Sequence, residues 1–236
     1  MIYARRTSTL VLAATVGLAS AASAAPIVGQ VDTFEDGGTA GWSVGGIHPA
    51  PPVQVGTGGP AGAGDGYLQI ASAGGFGPGS RLSAFNMDQW AGDYLGAGIT
   101  AIAMDLRNTG ATDVVLRLLV AGPFGAMGPL NAAVTTDSAF LPAGGDWVTA
   151  RFSLAPADLV VLFGSVDAAL SEAGELRLFH NPDAFFGGPP DSSPRIAATI
   201  GLDNVRAVPE PATWLLVSLA TAWAVRRRCA GQGTSA

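Results

Sequence analysis

The chain has 236 residues, of which 48% are hydrophobic and 13% are charged, a length that fits one domain with short terminal segments. From Ala25 to Val208 it carries seven positive and seventeen negative charges, a formal charge of −10. This acidity excludes nucleic acid as a partner, because phosphate binding needs clustered cations. The single cysteine, Cys229, excludes an internal disulfide, so the domain must be stabilised by its core.

The first 24 residues have the pattern of a secretion signal. Arg5 and Arg6 precede the short apolar stretch Leu10–Ala19, and the tripeptide that ends at Ala24 has small residues at its first and third places. This pattern predicts export and cleavage by signal peptidase between Ala24 and Ala25. The paired arginines leave the twin-arginine route open, but Thr and Ser residues follow them, which favours the general secretory route.

Apolar and polar residues alternate with a period of two through the middle of the chain. Three such runs are Val114–Val120, Val148–Leu154 and Leu176–Phe179. Further strands are predicted at Val31–Glu35, Tyr67–Ala71, Arg81–Phe85, Ile102–Leu106, Asn131–Thr135 and Arg195–Val208. One helix is predicted over Pro156–Ala173, with proline in its first turn. Many short strands between glycine- and proline-rich turns predict an all-β jelly-roll β-sandwich with one short helix for residues 25–207.

Three stretches of this domain carry a resemblance to a known fold family. They are Thr33–Gly37 with the following Gly41-Trp42, Trp147–Leu154, and Ile200–Val205. With these stretches the domain resembles the galactose-binding-like sandwiches found in many carbohydrate-binding modules. The resemblance implies a structural calcium ion between the first and last strands, with Glu35 and Asp203 as ligands completed by backbone carbonyls. No other cofactor is required.

Aromatic and arginine side chains supply a candidate sugar-binding face. Sugar rings stack on aromatic planes, and arginine pairs with uronate or pyruvate groups. The candidate platforms are Trp42, Trp90, Tyr94 and Trp147, and the candidate cations on one sheet face are Arg117, Arg151 and Arg177. The alternative is that the tryptophans fill the core and the arginines form a solvated outer face.

No catalytic residue is predicted. Ser43 lies in a G-x-S-x-G pattern, but the proline-rich segment after it cannot start the helix that this nucleophile motif requires. His48 and His180 are far apart in sequence and are predicted to be surface residues, because no further His or Cys ligands accompany them. A polysaccharide-acting enzyme stays open as an alternative, since the domain has many carboxylates but no spacing that selects a pair.

The C-terminal segment, residues 208–230, has three parts in a fixed order. The motif Pro209, Glu210 and Pro211 comes first, 14 apolar or small residues follow, and the last part is the basic cluster Arg226, Arg227 and Arg228. As a helix those 14 residues span about 21 Å, which makes a short transmembrane anchor with the arginines on the cytoplasmic side. This order resembles the PEP-CTERM sorting tail. The resemblance implies recognition and cleavage by an exosortase, a Gram-negative host, and an exopolysaccharide around the cell.

These features together predict an exported, non-enzymatic cell-envelope or extracellular-matrix protein. The resemblance of the tail implies transient anchoring in the inner membrane before sorting to the outer envelope, cell surface or matrix. Binding of exopolysaccharide is the functional hypothesis for the domain. A polysaccharide-acting jelly-roll enzyme and a purely structural coat component are the alternatives.

Overall fold

The structure, a computed structural model, describes residues 25–183 and 193–209. The predicted signal peptide up to Ala24 lies outside the described residues. So does the predicted sorting tail from Glu210 onwards, with the sorting residues Glu210, Pro211, Arg226, Arg227 and Arg228, and these therefore stay predictions. Within the described ranges, no helix is long and apolar enough to cross a membrane.

The described chain consists almost entirely of short β-strands. In chain order they are β1 (Val31–Asp32), β2 (Trp42–Ser43), β3 (Val53–Val55), β4 (Tyr67–Ala73), β5 (Ser83–Asn86), β6 (Ile99–Asn108), β7 (Val114–Gly125), β8 (Gly128–Thr135), β9 (Ala139–Leu141), β10 (Val148–Ser153), β11 (Leu159–Phe163), β12 (Glu175–His180) and β13 (Ala197–Pro209). The α-helix α1 (Val166–Ser171) lies between β11 and β12.

The strands form two antiparallel sheets. In sheet A the order is β10-β6-β13-β4-β3, and β1 also pairs with β13. In sheet B the order is β11-β8-β7-β12-β5-β2, and β9 also pairs with β7. The first and last strands therefore meet in sheet A. This architecture confirms the predicted all-β jelly-roll β-sandwich with one short helix.

The main hydrophobic core lies between the two sheets. Alternate side chains of a strand point to the same side, so each strand contributes every second residue to the core. Met104 and Leu106 of β6 face Leu116 and Leu118 of β7 in this way, and all four side chains are fully buried. The inward-facing set of β7 is the one that the period-2 alternation predicts.

The predicted helix over Pro156–Ala173 is mostly wrong. A 3-10 turn covers Pro156–Asp158, and the five apolar residues that follow form β11, which pairs with β8. Only the last part is helical. There the hydroxyl of Ser165 accepts a hydrogen bond from the Ala168 N–H at 3.2 Å and caps α1. Two β-branched valines and a partner strand outweigh the helical pattern of this segment.

One further expectation is corrected at the end of a strand. His180, predicted at the surface, is 8% exposed, and its Nδ1 accepts a hydrogen bond from the Val115 N–H at 3.1 Å. Burial lowers the pKa of His180. Strand β13 runs to Pro209, which pairs with Ile99, so the first residue of the predicted sorting motif still belongs to sheet A.

Candidate functional site

Three of the predicted sugar platforms are buried in the core. Trp42 is 2% exposed, and Trp90 and Tyr94 are 0% exposed. A sugar ring stacks on the flat face of an aromatic side chain, so that face must be open to solvent. The prediction that these three side chains bind sugar is therefore wrong. The physical reason is that large aromatic rings gain the most free energy where they are removed from water.

A buried carboxylate holds this aromatic group together. Asp32 Oδ2 accepts hydrogen bonds from the indole N–H of Trp42 at 2.9 Å and of Trp90 at 2.7 Å. Gln89 Nε2 donates to both carboxylate oxygens at 3.2 Å. Burial raises the pKa of Asp32, and these hydrogen bonds partly oppose the rise. The Tyr94 hydroxyl, whose pKa is also raised by burial, donates to the Trp90 carbonyl at 2.6 Å.

Arg117 of β7 fastens two loops to the outer face of sheet B. Its Nε donates to the Asn181 carbonyl at 3.0 Å, its Nη1 to the Thr136 carbonyl at 2.6 Å and its Nη2 to the Pro182 carbonyl at 3.0 Å. The side chain is buried, and burial lowers the pKa of Arg117. Because backbone carbonyls occupy its N–H groups, the prediction that Arg117 binds an acidic sugar is wrong.

The other two arginine candidates lie on different sheets. Arg151 of β10 pairs with Ala103 and is exposed on the outer face of sheet A. Arg177 of β12 pairs with Phe85 and lies on the outer face of sheet B. The expectation that the arginines share one sheet face is therefore wrong, because β10 joins the edge of sheet A.

Trp147 is half-buried and covers the outer face of sheet A. Its ring packs edge-on against Tyr67, with 5.4 Å between ring centroids, and its Nε1 donates to the Gly58 carbonyl at 3.0 Å. A Cβ atom on Gly201 would lie 2.6 Å from the Trp147 ring, so only glycine allows this approach. Trp147 thereby holds the glycine-rich loop 56–66 against the sheet, which is a structural role.

Asp203, one of the two predicted calcium ligands, lies two residues beyond Gly201 on β13. Asp203 is 1% exposed, its Oδ2 accepts a hydrogen bond from Asn204 Nδ2 at 3.0 Å, and its Oδ1 has no hydrogen-bond partner among the described residues. Burial, followed by the negative charges of Asp65, Asp105 and Glu35, raises the pKa of Asp203 to about 7. A buried carboxylate oxygen without a partner among other carboxylates fits a site that a cation would stabilise.

The second predicted ligand, Glu35, is anchored next to this cluster. Its Oε1 accepts a hydrogen bond from the Gly66 N–H at 2.9 Å, and the Phe34 carbonyl accepts one from Gln54 Nε2 at 3.0 Å. In the part of the chain that the structure describes, no three Asp, Glu, His or Cys side chains are arranged to hold a metal ion. Calcium takes six to eight oxygen ligands, so any ion here would need backbone carbonyls in addition to carboxylates.

A surface pocket of about 460 Å³ lies on the outer face of sheet B. Its floor contains Ser83 and Phe85 of β5 and Arg177 of β12, whose side chains alternate with inward-facing core residues. Its walls are the loop that contains His48 and the loop that contains Gly79. The two loops are in contact, since a Cβ on Gly79 would lie 2.8 Å from the Pro49 ring. The pocket therefore lies over β5 and β12, towards the β2 edge of sheet B.

The pocket contains one aromatic ring with cations beside it. The Arg177 guanidinium carbon lies 5.2 Å from the centroid of the half-buried Phe85 ring, and Arg177 Nε forms an ion pair with Glu175 at 2.5 Å. Arg81 lines the pocket as well, and its Nε donates to the Ser193 carbonyl at 2.7 Å. His48 completes the wall, and its Nε2 has no hydrogen-bond partner within the described ranges.

Sequence reasoning identified Arg177 and missed Phe85, Arg81 and His48. The strand Arg81–Phe85 is predicted, but its pairing with β12 is not readable from the sequence. The period-2 alternation in the sequence could have identified Ser83 and Phe85 as outward-facing neighbours, because residues two apart in a strand point to the same side. Arg81, two residues before β5, continues the same alternation.

No protein-family model matches the chain, and no curated protein matches it in sequence. Solved structures do match. A family 11 carbohydrate-binding module from Clostridium thermocellum, solved with a β-1,3-1,4-mixed-linked tetrasaccharide, is 14% identical with a TM-score of 0.51, over 77% of this chain and 96% of that chain. The family 11 module of a cellulosomal cellulase from Clostridium thermocellum is 12% identical with a TM-score of 0.50, over 78% of this chain and 96% of that chain.

An exo-β-agarase is 17% identical with a TM-score of 0.51. The match covers 78% of this chain and 25% of the agarase chain, so the similarity is to one part of that enzyme. At sequence identities of 12–17% these matches show the fold alone. They show that the described residues have the β-sandwich fold of carbohydrate-binding modules.

Proposed function

We propose that this chain is an exported, non-catalytic protein that binds polysaccharide through the pocket on sheet B. The observation that carries the proposal is Phe85, a half-buried ring on the pocket floor, with Ser83 and Arg81 beside it. A sugar ring presents C–H groups to an aromatic face and hydroxyls to polar groups at its edge. Arg81, half-buried in the same lining, offers further N–H donors to a hydroxyl.

The composition of the pocket favours binding over catalysis. Glycoside hydrolysis needs two carboxyl groups on opposite sides of the scissile bond. The described residues that line the pocket include two arginines, two serines and a histidine, but no aspartate or glutamate. The enzyme alternative therefore has no support at this site.

The terminal segments support the export part of the proposal. We assign the chain a signal peptide over residues 1–24, the sandwich domain over 25–207 and a PEP-CTERM sorting segment over 208–230. Signal peptidase and an exosortase are the processing partners, and the exopolysaccharide of the producing cell is the ligand. The C-terminal helix anchors the chain in the inner membrane until the tail is processed.

Processing at both ends is expected to be visible in the mass of the mature protein. Intact-mass and terminal-peptide spectrometry of the protein from its own cells should find Ala25 at the N-terminus and a C-terminus near Pro209–Pro211. Replacing Arg226, Arg227 and Arg228 with alanines is expected to leave the tail uncleaved, because the positive charges fix the helix orientation. A mature protein that still ends at Ala236 would overturn the sorting assignment.

We also assign a structural calcium ion to the cluster around Asp203. Asp203 and Glu35 would hold the ion with backbone carbonyls such as that of Phe34. The unpartnered Oδ1 of Asp203 is the observation that supports it. When bound, the ion neutralises buried carboxylates and ties the start of the chain to the last strand.

Replacing Phe85 with alanine is expected to weaken polysaccharide binding about tenfold or more, because the stacking surface is lost. Affinity electrophoresis of the full chain, purified in mild detergent, on gels that contain the producing organism's exopolysaccharide measures this change. Trp147→Phe, on the opposite sheet, is the matched control and should bind as the wild type does.

The two variants also separate the possible outcomes. A loss of binding in Trp147→Phe with normal binding in Phe85→Ala would move the site to sheet A. A folded wild-type chain that binds no exopolysaccharide would contradict the binding proposal and favour the structural coat alternative. Melting temperatures of all three proteins show whether a loss of binding reflects unfolding.

A further inference from the structure

The charge of the sheet B pocket is opposite to that of the domain around it. Residues 25–208 carry seventeen acidic residues and seven arginines. Two of these arginines, Arg81 and Arg177, line the pocket, and no described residue of the lining is acidic. A net positive pocket on a strongly acidic domain favours a negatively charged group in the ligand.

Arg81 is held in place for such a contact. Its Nε donates to the Ser193 carbonyl at 2.7 Å, and a carbonyl fixes the side chain without neutralising its charge. Among the described residues, no carboxylate lies within ion-pair distance of Arg81. The side chain is half-buried, so water screens its charge less than that of an exposed arginine.

Arg177, on the floor of the pocket, is held by a carboxylate and not by a backbone carbonyl. Glu175 accepts from its Nε at 2.5 Å and from its Nη2 at 3.1 Å, and the guanidinium lies over Phe85. The ion pair offsets the charge of Arg177, so the net positive charge of the pocket comes from Arg81. A guanidinium offers paired N–H donors in one plane, which match the two oxygens of a carboxylate.

From this arrangement we infer that the pocket selects a carboxylate-bearing sugar, a hexuronate residue within the polysaccharide. The part of Phe85 that Arg177 leaves exposed would contact the sugar ring, and Arg81 would contact the carboxylate. This inference rests on the proposed binding function and narrows its ligand class. The acidity of the surrounding domain opposes nonspecific adsorption of an anionic polymer, so binding depends on the pocket itself.

Two forms of one polymer test the inference. The native exopolysaccharide of the producing organism and the same polymer with its carboxyl groups reduced to alcohols are compared as ligands of the full chain. We expect at least about tenfold tighter binding of the native form in about 50 mM NaCl, with the preference reduced in about 500 mM NaCl. Arg81→Gln should bring the affinity ratio close to one, and Arg81→Lys should retain part of it. Arg151→Gln, on the opposite sheet, should leave both affinities unchanged.

Each contrary result has a separate meaning. Equal binding of both forms by the wild type overturns the uronate inference and leaves polysaccharide binding in place. Binding of neither form by a folded chain overturns the proposed function itself. An equal loss of preference in Arg81→Gln and Arg151→Gln would show that overall charge, and not the pocket, attracts the polymer.

Discussion

Replacing Asp32 with alanine is expected to lower the free energy of unfolding by about 3–5 kcal/mol, a large part of the stability of an ordinary domain. The variant leaves the indole N–H groups of Trp42 and Trp90 without their buried acceptor, whereas Gln89 Nε2 keeps its hydrogen bond to the Ala40 carbonyl. Each unsatisfied buried donor costs about 1–3 kcal/mol. The cavity left by the carboxylate adds to the loss.

Urea unfolding of the full chain, followed by tryptophan fluorescence, measures this effect. The exposed Asp146→Ala is the matched control, and its stability should stay within about 0.5 kcal/mol of the wild type. Asp32→Asn, which keeps one acceptor oxygen, should lie between the two. A loss below about 1 kcal/mol for Asp32→Ala would mean that water or another group satisfies both indoles.

The sandwich was predictable because its signal is local. In β7 and β12 the two faces of each strand alternate in the sequence, and the structure places those residues as expected. In β10 Ala150 and Phe152 pack on the core as expected, whereas Val148 at the start of the strand is 43% exposed. The segment Leu159–Phe163 was not predictable in this way. It is a strand because it pairs with β8, and that partner is not visible in the segment itself.

The binding site was less predictable, because exposure depends on distant partners. Trp90 is buried against Asp32, which lies 58 residues earlier in the chain. Residue type alone therefore suggested that Trp90 is an exposed sugar-stacking surface, whereas the fold places it in the core. Phe85 and Arg177 become neighbours only through the register of β5 and β12. Arg151 and Arg177 look alike in sequence, yet their strands join different sheets.

Calcium is expected to raise the melting temperature of the wild-type chain by about 5–10 °C when it exceeds its dissociation constant about 100-fold. The gain should grow as the pH rises towards and above about 7, because calcium binds the ionised form of Asp203. In chelator, by contrast, the stability of the fold should decrease as the pH rises. The pKa of Asp203 is raised in the folded state, so its protonation stabilises the fold below the unfolded pKa, and that stability is lost as the pH rises through about 7.

Melting curves in chelator and in excess calcium, from about pH 5.5 to about pH 8.5, measure both trends. The pKa of Asp32 is also raised, so Asp32 contributes to the same loss of stability with rising pH. The difference between the wild type and Asp203→Asn therefore isolates the contribution of Asp203. This variant should lose the calcium effect and show a flatter pH dependence, whereas Asp167→Asn on α1 should behave as the wild type. If calcium stabilised Asp203→Asn as much as the wild type, the ion would bind elsewhere. If calcium stabilised neither, the unpartnered Oδ1 of Asp203 would be kept neutral by protonation instead, and the first and last strands would be joined by hydrogen bonds alone.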